Sequence, residues 1–388
     1  MKISLVISLL ILLGFASLTE AQESRDFSGT IESDGLTRTF TGHLPPSFDQ
    51  SSSFALVLAL HGGGGDAKGM AALTDFNRVA DREGFIVVYP EGNTNNWNDG
   101  RLAERDIARV DDVRFISELI DLFVARFKAD PTRVYATGIS NGGFMVQRLA
   151  CELSTKVAAV ATVAATFPRN LDIPCNPQRF IPVMFIQGTD DKFVPIEGGE
   201  VIGGRGKILS LQEAITKWVN FNQCQTLTSI AETDIREDGT RTTRQQHTDC
   251  TTGNRIVGFI VEKGGHTWPG GLQYLPVSVI GLTSRDFNAS ELIWTFFSGR
   301  AFELQQPLVT IDSVDYNRPT LTINGVNFTG SVVKVTINGQ DVSSRIKSRT
   351  ANSLTLNGNR LRLNLQNREN QIRVIVDAKL SNIITLNF

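Results

Sequence analysis

Gly138-Ile139-Ser140-Asn141-Gly142 stands between the apolar run Val134-Tyr135-Ala136-Thr137 and a helix-like segment. A G-x-S-x-G pentapeptide in that setting can lift a serine hydroxyl out of a sheet as a nucleophile, because glycines on either side let the backbone turn sharply from strand to helix. The pattern also arises by chance, so the strand before it and the helix after it carry the argument. The chemistry indicated is acyl transfer through Ser140. The plain alternative is a glycine-rich turn holding an inert serine.

Acyl transfer leaves an oxyanion that needs backbone N–H donors. Leu60-His61-Gly62-Gly63-Gly64-Gly65 follows the apolar run Ala55 to Leu60, and a glycine-rich loop after a strand is a setting in which serine hydrolases built on α/β sheets carry such donors. Gly63 and Gly64, with Asn141 after the serine, are the expected donors. A phosphate-binding loop would continue Gly-Lys-Ser/Thr, whereas Asp66 follows here. A serine also needs an imidazole base held by a carboxylate. Of the four histidines, His266 lies in Gly264-Gly265-His266-Thr267-Trp268-Pro269-Gly270-Gly271, late in the chain and just after an apolar run ending at Val261. His61 reads as structural, His247 as exposed, and His43 as part of the first strand region. For the carboxylate, Gly188-Thr189-Asp190-Asp191 lies between serine and histidine, giving the order Ser, Asp, His, and spacing alone admits either aspartate. Trp97 and Trp268 are candidates for an aromatic wall against the acyl group, with burial in the core as the alternative.

These residues need a scaffold. From Thr37 to about Arg300, short apolar runs alternate with longer amphipathic ones, the pattern of strands and helices around a mostly parallel sheet. Strands are expected at Ala55 to Leu60, Phe85 to Tyr89, Arg133 to Thr137, Val157 to Val163, Pro182 to Ile186 and Ile256 to Val261. Helices are expected from a cap at Asp111-Asp112, and over Gly142 to Glu152, Leu209 to Asn222 and Phe287 to Phe297. The expected architecture is an α/β sandwich with helices on both faces.

The 388 residues suffice for two or three domains, and 38 Lys and Arg against 40 Asp and Glu give a net charge of −2. That balance argues against nucleic acid as a partner. Lys2, an apolar run from Ile3 to Phe15, and Thr19-Glu20-Ala21 have the layout of a secretory signal peptide over residues 1–21, too short for a membrane span. A secreted protein, extracellular or periplasmic, without a membrane partner after cleavage is therefore expected. In an oxidising compartment the four cysteines form disulfides, and of three connectivities Cys151 with Cys175 and Cys224 with Cys250 close short local loops. No Cys-x-x-Cys spacing points to a metal, and no cofactor is expected.

After Gln305-Gln306-Pro307 the composition changes. From Pro307 onward there is no Cys, Trp, His or Met, apolar residues alternate with polar ones, and Asn-Gly pairs at 324, 338 and 357 suggest hairpins in a small all-β domain over 306–388. Ten Lys and Arg against five Asp and Glu give this part +5, leaving −7 for the rest. A charge of that sign can serve an anionic polymer, or simply solubility.

Taken together, Asp111-Asp112-Val113 with Phe115-Ile116, Arg133 to Gly138 with Ser140 to Met145, Gly62 to Gly65, Gly188 to Pro195 and Gly264 to Gly271 resemble the secreted esterase and polyhydroxybutyrate depolymerase family that includes feruloyl esterases of the LpqC type. The resemblance runs from about Thr30 to Arg300. It implies an α/β-hydrolase catalytic domain over 22–305, with Ser140 as nucleophile, His266 as base and Asp191 as carboxylate. Gln187 departs from the pattern, which has a histidine before Gly-Thr; a difference in local loop packing is expected there. Thr320 to Phe328 and Val335 to Gly339 resemble the IPT/TIG immunoglobulin-like module, which implies a β-sandwich for polymer or cell-surface contact, or spacing. The implied function is a serine carboxylesterase acting on feruloyl (hydroxycinnamoyl) esters of plant cell-wall xylan. Extracellular poly(3-hydroxybutyrate) depolymerase and acetyl xylan esterase are the alternatives within that class, and a non-catalytic adhesin is the alternative outside it.

Overall fold

The computed structural model describes residues 25–101, 110–172, 174–299, 310–326, 328–376, 379–381 and 384–388. The expected signal peptide and the Gln305-Gln306-Pro307 junction lie outside them.

In chain order the first half provides β1 (Asp26–Ser33), β2 (Leu36–His43), β3 (Phe54–Leu60), α1 (Ala67–Thr74), α2 (Phe76–Glu83), β4 (Phe85–Pro90), α3 (Asp112–Arg126), β5 (Ala129–Ile139), α4 (Asn141–Glu152) and β6 (Ala159–Val163). There follow β7 (Phe167–Pro168), β8 (Val183–Gly188), β9 (Gly199–Glu200), β10 (Lys207–Leu209), α5 (Leu211–Asn222), β11 (Thr226–Ala231), β12 (Arg241–Thr248), β13 (Ile256–Glu262), α6 (Val277–Ile280) and α7 (Ala289–Ser298). Ten strands form one sheet in the order β1-β2-β4-β3-β5-β6-β8-β13-β12-β11, while β7, β10 and β9 make a small second one. The centre, from β4 to β13, is parallel. Both flanks, β1-β2 and β12-β11, are antiparallel additions.

The six expected strands and four expected helices all occur, within a few residues except for β5, which starts four residues earlier than expected. The central strands are covered on both faces, so they read as continuous apolar runs. In β3, Leu56, Leu58 and Leu60 join a core with Ile116 of α3, Leu149 of α4 and Trp218 of α5. The alternate residues Ala55, Val57 and Ala59 join another with Met70 of α1, Val79 of α2 and Ile293 of α7. Asp111 caps α3 by accepting from Arg114 N, as its position suggested. The flanking strands β1, β11 and β12 were not expected as a sheet extension, because β11 is exposed throughout and carries no core signal.

From Thr310 onward, β14 (Thr310–Asn317), β15 (Thr320–Val326), β16 (Val333–Ile337), β17 (Gln340–Asp341), β18 (Ile346–Arg349), β19 (Ser353–Asn357), β20 (Asn370–Val376), β21 (Lys379–Leu380) and β22 (Ile384–Leu386) form two antiparallel sheets. Leu321, Ile323, Leu354 and Leu356 of one sheet pack with Val335, Ile337, Ile372 and Val374 of the other in one buried cluster. This is a small all-β sandwich after the α/β part, the expected fold class. Of the three Asn-Gly pairs only Asn338-Gly339 makes a hairpin turn: Ile337 pairs with Gln340, and both turn residues have positive φ. Asn324-Gly325 lies inside β15, and Asn357-Gly358 at the end of β19.

Candidate active site

The ends of β3, β5, β8 and β13 open onto one edge of the sheet, the carboxyl edge where α/β folds place their ligands. At the end of β5, Ser140 adopts φ 54° and ψ −121°, and its N–H donates to the Val163 carbonyl at 3.0 Å. A non-glycine residue there stores backbone strain that the neighbours must hold. Glycine is required on both sides for a steric reason: a Cβ on Gly142 would sit 2.4 Å from the carbonyl oxygens of Leu60 and His61, and one on Gly138 would sit 2.6 Å from the Gly142 carbonyl carbon. The turn is therefore held by backbone packed on backbone.

The loop after β3 lies against this turn. The amides of Gly62 and Gly63 make no hydrogen bond among the described residues. Gly64 differs from expectation, since its N–H donates to the Asn95 carbonyl at 2.8 Å and is spent on closing the loop. Asn141, the first residue of α4, has an amide that a helix cannot satisfy internally. Its side chain accepts from Trp97 N at 2.7 Å and donates to Trp97 O at 3.0 Å and Asp99 Oδ2 at 2.5 Å. His61 is structural: Nδ1 meets the Gly62 carbonyl at 2.8 Å and Nε2 accepts from Gly92 N at 2.9 Å. Burial lowers its proton affinity, which keeps this neutral pattern.

The acid–base half hangs from β8 and β13. Asp191 Oδ1 accepts from the amides of Phe193 and Val194, both at 2.9 Å. Its Oδ2 stands 2.8 Å from His266 Nδ1 and accepts from Gln187 Nε2 at 3.1 Å. An ionised carboxylate only accepts, so Nδ1 carries the proton and Nε2 is left as the basic nitrogen. Asp190 is exposed, and its carboxylate accepts from the Thr189 hydroxyl at 3.1 Å. The two loops lock together through Asp190 N to Gly264 O at 2.9 Å and Lys263 N to Thr189 Oγ1 at 2.8 Å. Phe193 stacks on the His266 ring with centroids 5.1 Å apart, and the Tyr274 hydroxyl donates to the His266 carbonyl at 2.7 Å.

Ser140 and His266 line the same cavity, of about 500 Å³, with Gly62 to Gly65 along one side. Met70, Leu73, Ile139, Phe193, Leu272 and Leu275 make its surface largely apolar. The two tryptophans do not belong to it, which corrects the expected aromatic wall. Trp97 is 2% exposed and donates through Nε1 to the His61 carbonyl; Trp268 is fully buried and donates to Ser290 Oγ. Both lie behind the site and brace its loops. Phe193, Leu272, Tyr274 and Leu275, which do line the cavity, were missed by sequence reasoning. An unusual run of apolar residues in a Pro- and Gly-rich loop was the available signal.

Elsewhere, Cys151–Cys175 and Cys224–Cys250 are both disulfide-bonded. His43 is buried between Asp26 and Asp81, at 2.6 and 2.8 Å, and ties β2 to α2. His247 is half-buried on β12 rather than exposed.

An α/β-hydrolase sheet with a strained serine at the end of a central strand and an aspartate-bound histidine on the same cavity defines a class of ester hydrolases. The family model for esterase PHB depolymerase matches residues 39–167. The protein named "Putative esterase NocK" from Nocardia uniformis subsp. tsuyamanensis is 31% identical over 289 residues, which cover 68% of this chain and 80% of that one. Feruloyl esterase C of Emericella nidulans is 25% identical over 234 residues, 59% of this chain and 76% of that one. Among solved structures, the acetyl xylan esterase from Aspergillus awamori aligns with a TM-score of 0.48 at 12% identity, covering 70% of this chain and 99% of that one. The chain belongs to the esterase PHB depolymerase family and is a carboxylic ester hydrolase.

Proposed function

We propose that the protein is a secreted serine esterase whose nucleophile is Ser140, whose base is His266 and whose orienting carboxylate is Asp191, and that it cleaves feruloyl esters of plant cell-wall xylan. The observation that carries this reading is the single cavity onto which Ser140 and the Asp191-bound His266 both open. Ser140 Oγ attacks the ester carbonyl as its proton passes to His266 Nε2. The oxyanion takes hydrogen bonds from the amides of Asn141 and Gly63. The imidazolium then protonates the leaving alcohol, and a water that gives its proton to His266 attacks the acyl-enzyme, restoring Ser140.

The choice of acyl group rests on size and polarity. A cavity of about 500 Å³ with apolar walls suits a phenylpropenoyl group and leaves an acetyl group with few contacts. Feruloyl esterases among the relatives point the same way. Two disulfides support export, and no helix among the described residues is long and apolar enough to cross a membrane. Residues 306–388 serve in this reading as a separate IPT/TIG-like module that contacts a polymer or cell surface.

The test is parallel turnover of methyl ferulate, acetylated xylan and a polyhydroxybutyrate film. The highest kcat/KM is expected on methyl ferulate. Preference for either other substrate replaces the proposed one, and no turnover on any ester turns the reading toward a non-catalytic adhesin.

A further inference from the structure

Gln187 is the penultimate residue of β8, 1% exposed, directly beneath the Asp191 loop. Its Nε2 donates to Asp191 Oδ2 at 3.1 Å and to the Val194 carbonyl at 3.0 Å. The reverse orientation of the amide would aim Oε1 at a carboxylate and a carbonyl together, two acceptors, so the side chain has one workable setting. Asp191 Oδ2 is also the oxygen that faces His266 Nδ1. One oxygen is therefore shared between a neutral amide donor and the imidazole.

We propose that Gln187 is a positioning residue for the acid–base pair: its amide fixes the Asp191 carboxylate and draws charge from the oxygen facing His266, setting the lower pH limit of activity. This rests on the proposed assignment of Ser140, His266 and Asp191. A carboxylate that loses a donor becomes more basic and holds the imidazolium more strongly. His266 then stays protonated to higher pH, where it cannot act as a base. The effect is specific to a neutral donor at this place. A carboxyl group put there, buried about 3 Å from Asp191, would have its proton affinity raised and stay protonated, so that it too would donate.

The other ionisable groups around the pair do not duplicate this. Asp190 and Lys192 are exposed on the same loop, and Arg205 is exposed where it lines the cavity. His61 is held neutral by burial. Asp66 caps α1. Tyr274 stays a protonated donor because burial, and then the Asp191 charge, raise its proton affinity.

The experiment is the pH profile of kcat/KM on a soluble aryl ester for the wild type, Gln187→Leu, Gln187→Met and Gln187→Glu, with thermal melting of each and Ser140→Ala as a control. Gln187→Leu is expected to lower kcat/KM about tenfold at neutral pH and to move the acid limb up by about half to one pH unit. Gln187→Met, of similar length and without a donor, should move it likewise, and Gln187→Glu, protonated beside Asp191 and so still a neutral donor, should restore much of the wild-type profile. A merely structural role would change melting and leave the limb in place. If Gln187→Leu does not fold, the near-isosteric Gln187→Met carries the test, and an unmoved limb there overturns the proposal. Failure of the triad assignment is separate, because it shows as turnover surviving in Ser140→Ala. A dead Ser140→Ala beside wild-type limbs in Gln187→Leu and Gln187→Met would remove the role of Gln187 alone.

Discussion

The two halves of the site are held by different physics. On the serine side the positions are fixed by sterics: Gly138, Gly142 and the Leu60-His61 backbone touch so closely that no Cβ fits. On the histidine side, Asp191 is set by three donors besides His266, and His266 by Asp191, Phe193 and Tyr274. Sterically fixed geometry tolerates no substitution but needs no partners. Geometry fixed by hydrogen bonds can be taken apart one bond at a time, so the histidine side should respond to mutation in graded steps.

The largest effect expected from this contrast is on the histidine side, where charge matters as well as place. Asp191→Asn should lower kcat by about 10⁴, because the amide can present a donor to Nδ1 and favour the wrong imidazole tautomer. Asp190→Asn, on an exposed neighbour, should change kcat by less than about twofold. Steady-state kinetics of the two variants read this directly. The reverse ranking would move the carboxylate role to Asp190.

On the serine side, Gly142→Ala tests the steric account. Its methyl would need room 2.4 Å from two carbonyl oxygens. Neither oxygen can move without disturbing β3, so a stability loss of at least about 3 kcal/mol is expected in denaturant unfolding. A folded, active Gly142→Ala enzyme would show that the turn is softer than the packing implies.

A smaller step is expected from Tyr274→Phe, which removes one hydrogen bond to the His266 carbonyl and keeps the ring in the cavity wall. One such bond contributes about 1 kcal/mol, so kcat/KM should fall by no more than about fivefold. The raised proton affinity of the phenol has a further consequence with a definite sign. The wild-type tyrosine stays a donor above the pH at which an ordinary phenol ionises, so wild-type and Tyr274→Phe profiles should share the same alkaline limb. A limb seen only in the wild type would mean that Tyr274 ionises in the working range.

The same contrast explains what could be read in the sequence. Sterically fixed features leave glycines at set intervals, so the Ser140 turn is legible from Gly138 and Gly142. The strands were visible because two-sided burial makes unbroken apolar runs, as in β3. Hydrogen-bonded features leave no spacing signature. Gln187 stands out only as a departure from a pattern, Tyr274 not at all, and the Gly64 amide reads as an oxyanion donor because its loop-closing bond to the Asn95 carbonyl cannot be inferred from glycines alone. Trp97 and Trp268 were misplaced for a related reason: an indole beside a catalytic residue in sequence can point behind the site as easily as into it.

The smallest effect expected is from removing residues 306–388, and it extends the comparison from the two halves of the site to the two parts of the chain. Every residue proposed for catalysis precedes that boundary. Among the described residues, the buried clusters of the α/β part contain none beyond Phe297, and the cluster of the β sandwich contains none before Ile311. Separate cores stabilise separate folding units. A chain ending at Gln305 should therefore melt within a few degrees of the full protein's catalytic part and turn over a small soluble ester at an unchanged rate. On an insoluble polymer the outcome should differ if the module tethers the enzyme, because tethering raises the effective concentration of the site at the surface. The +5 balance of the module gives that contribution a salt dependence, since exposed charges are screened over about 10 Å at 0.1 M. Equal losses on soluble and insoluble esters would instead show that the sandwich supports the catalytic fold, and no loss on either would make it a spacer.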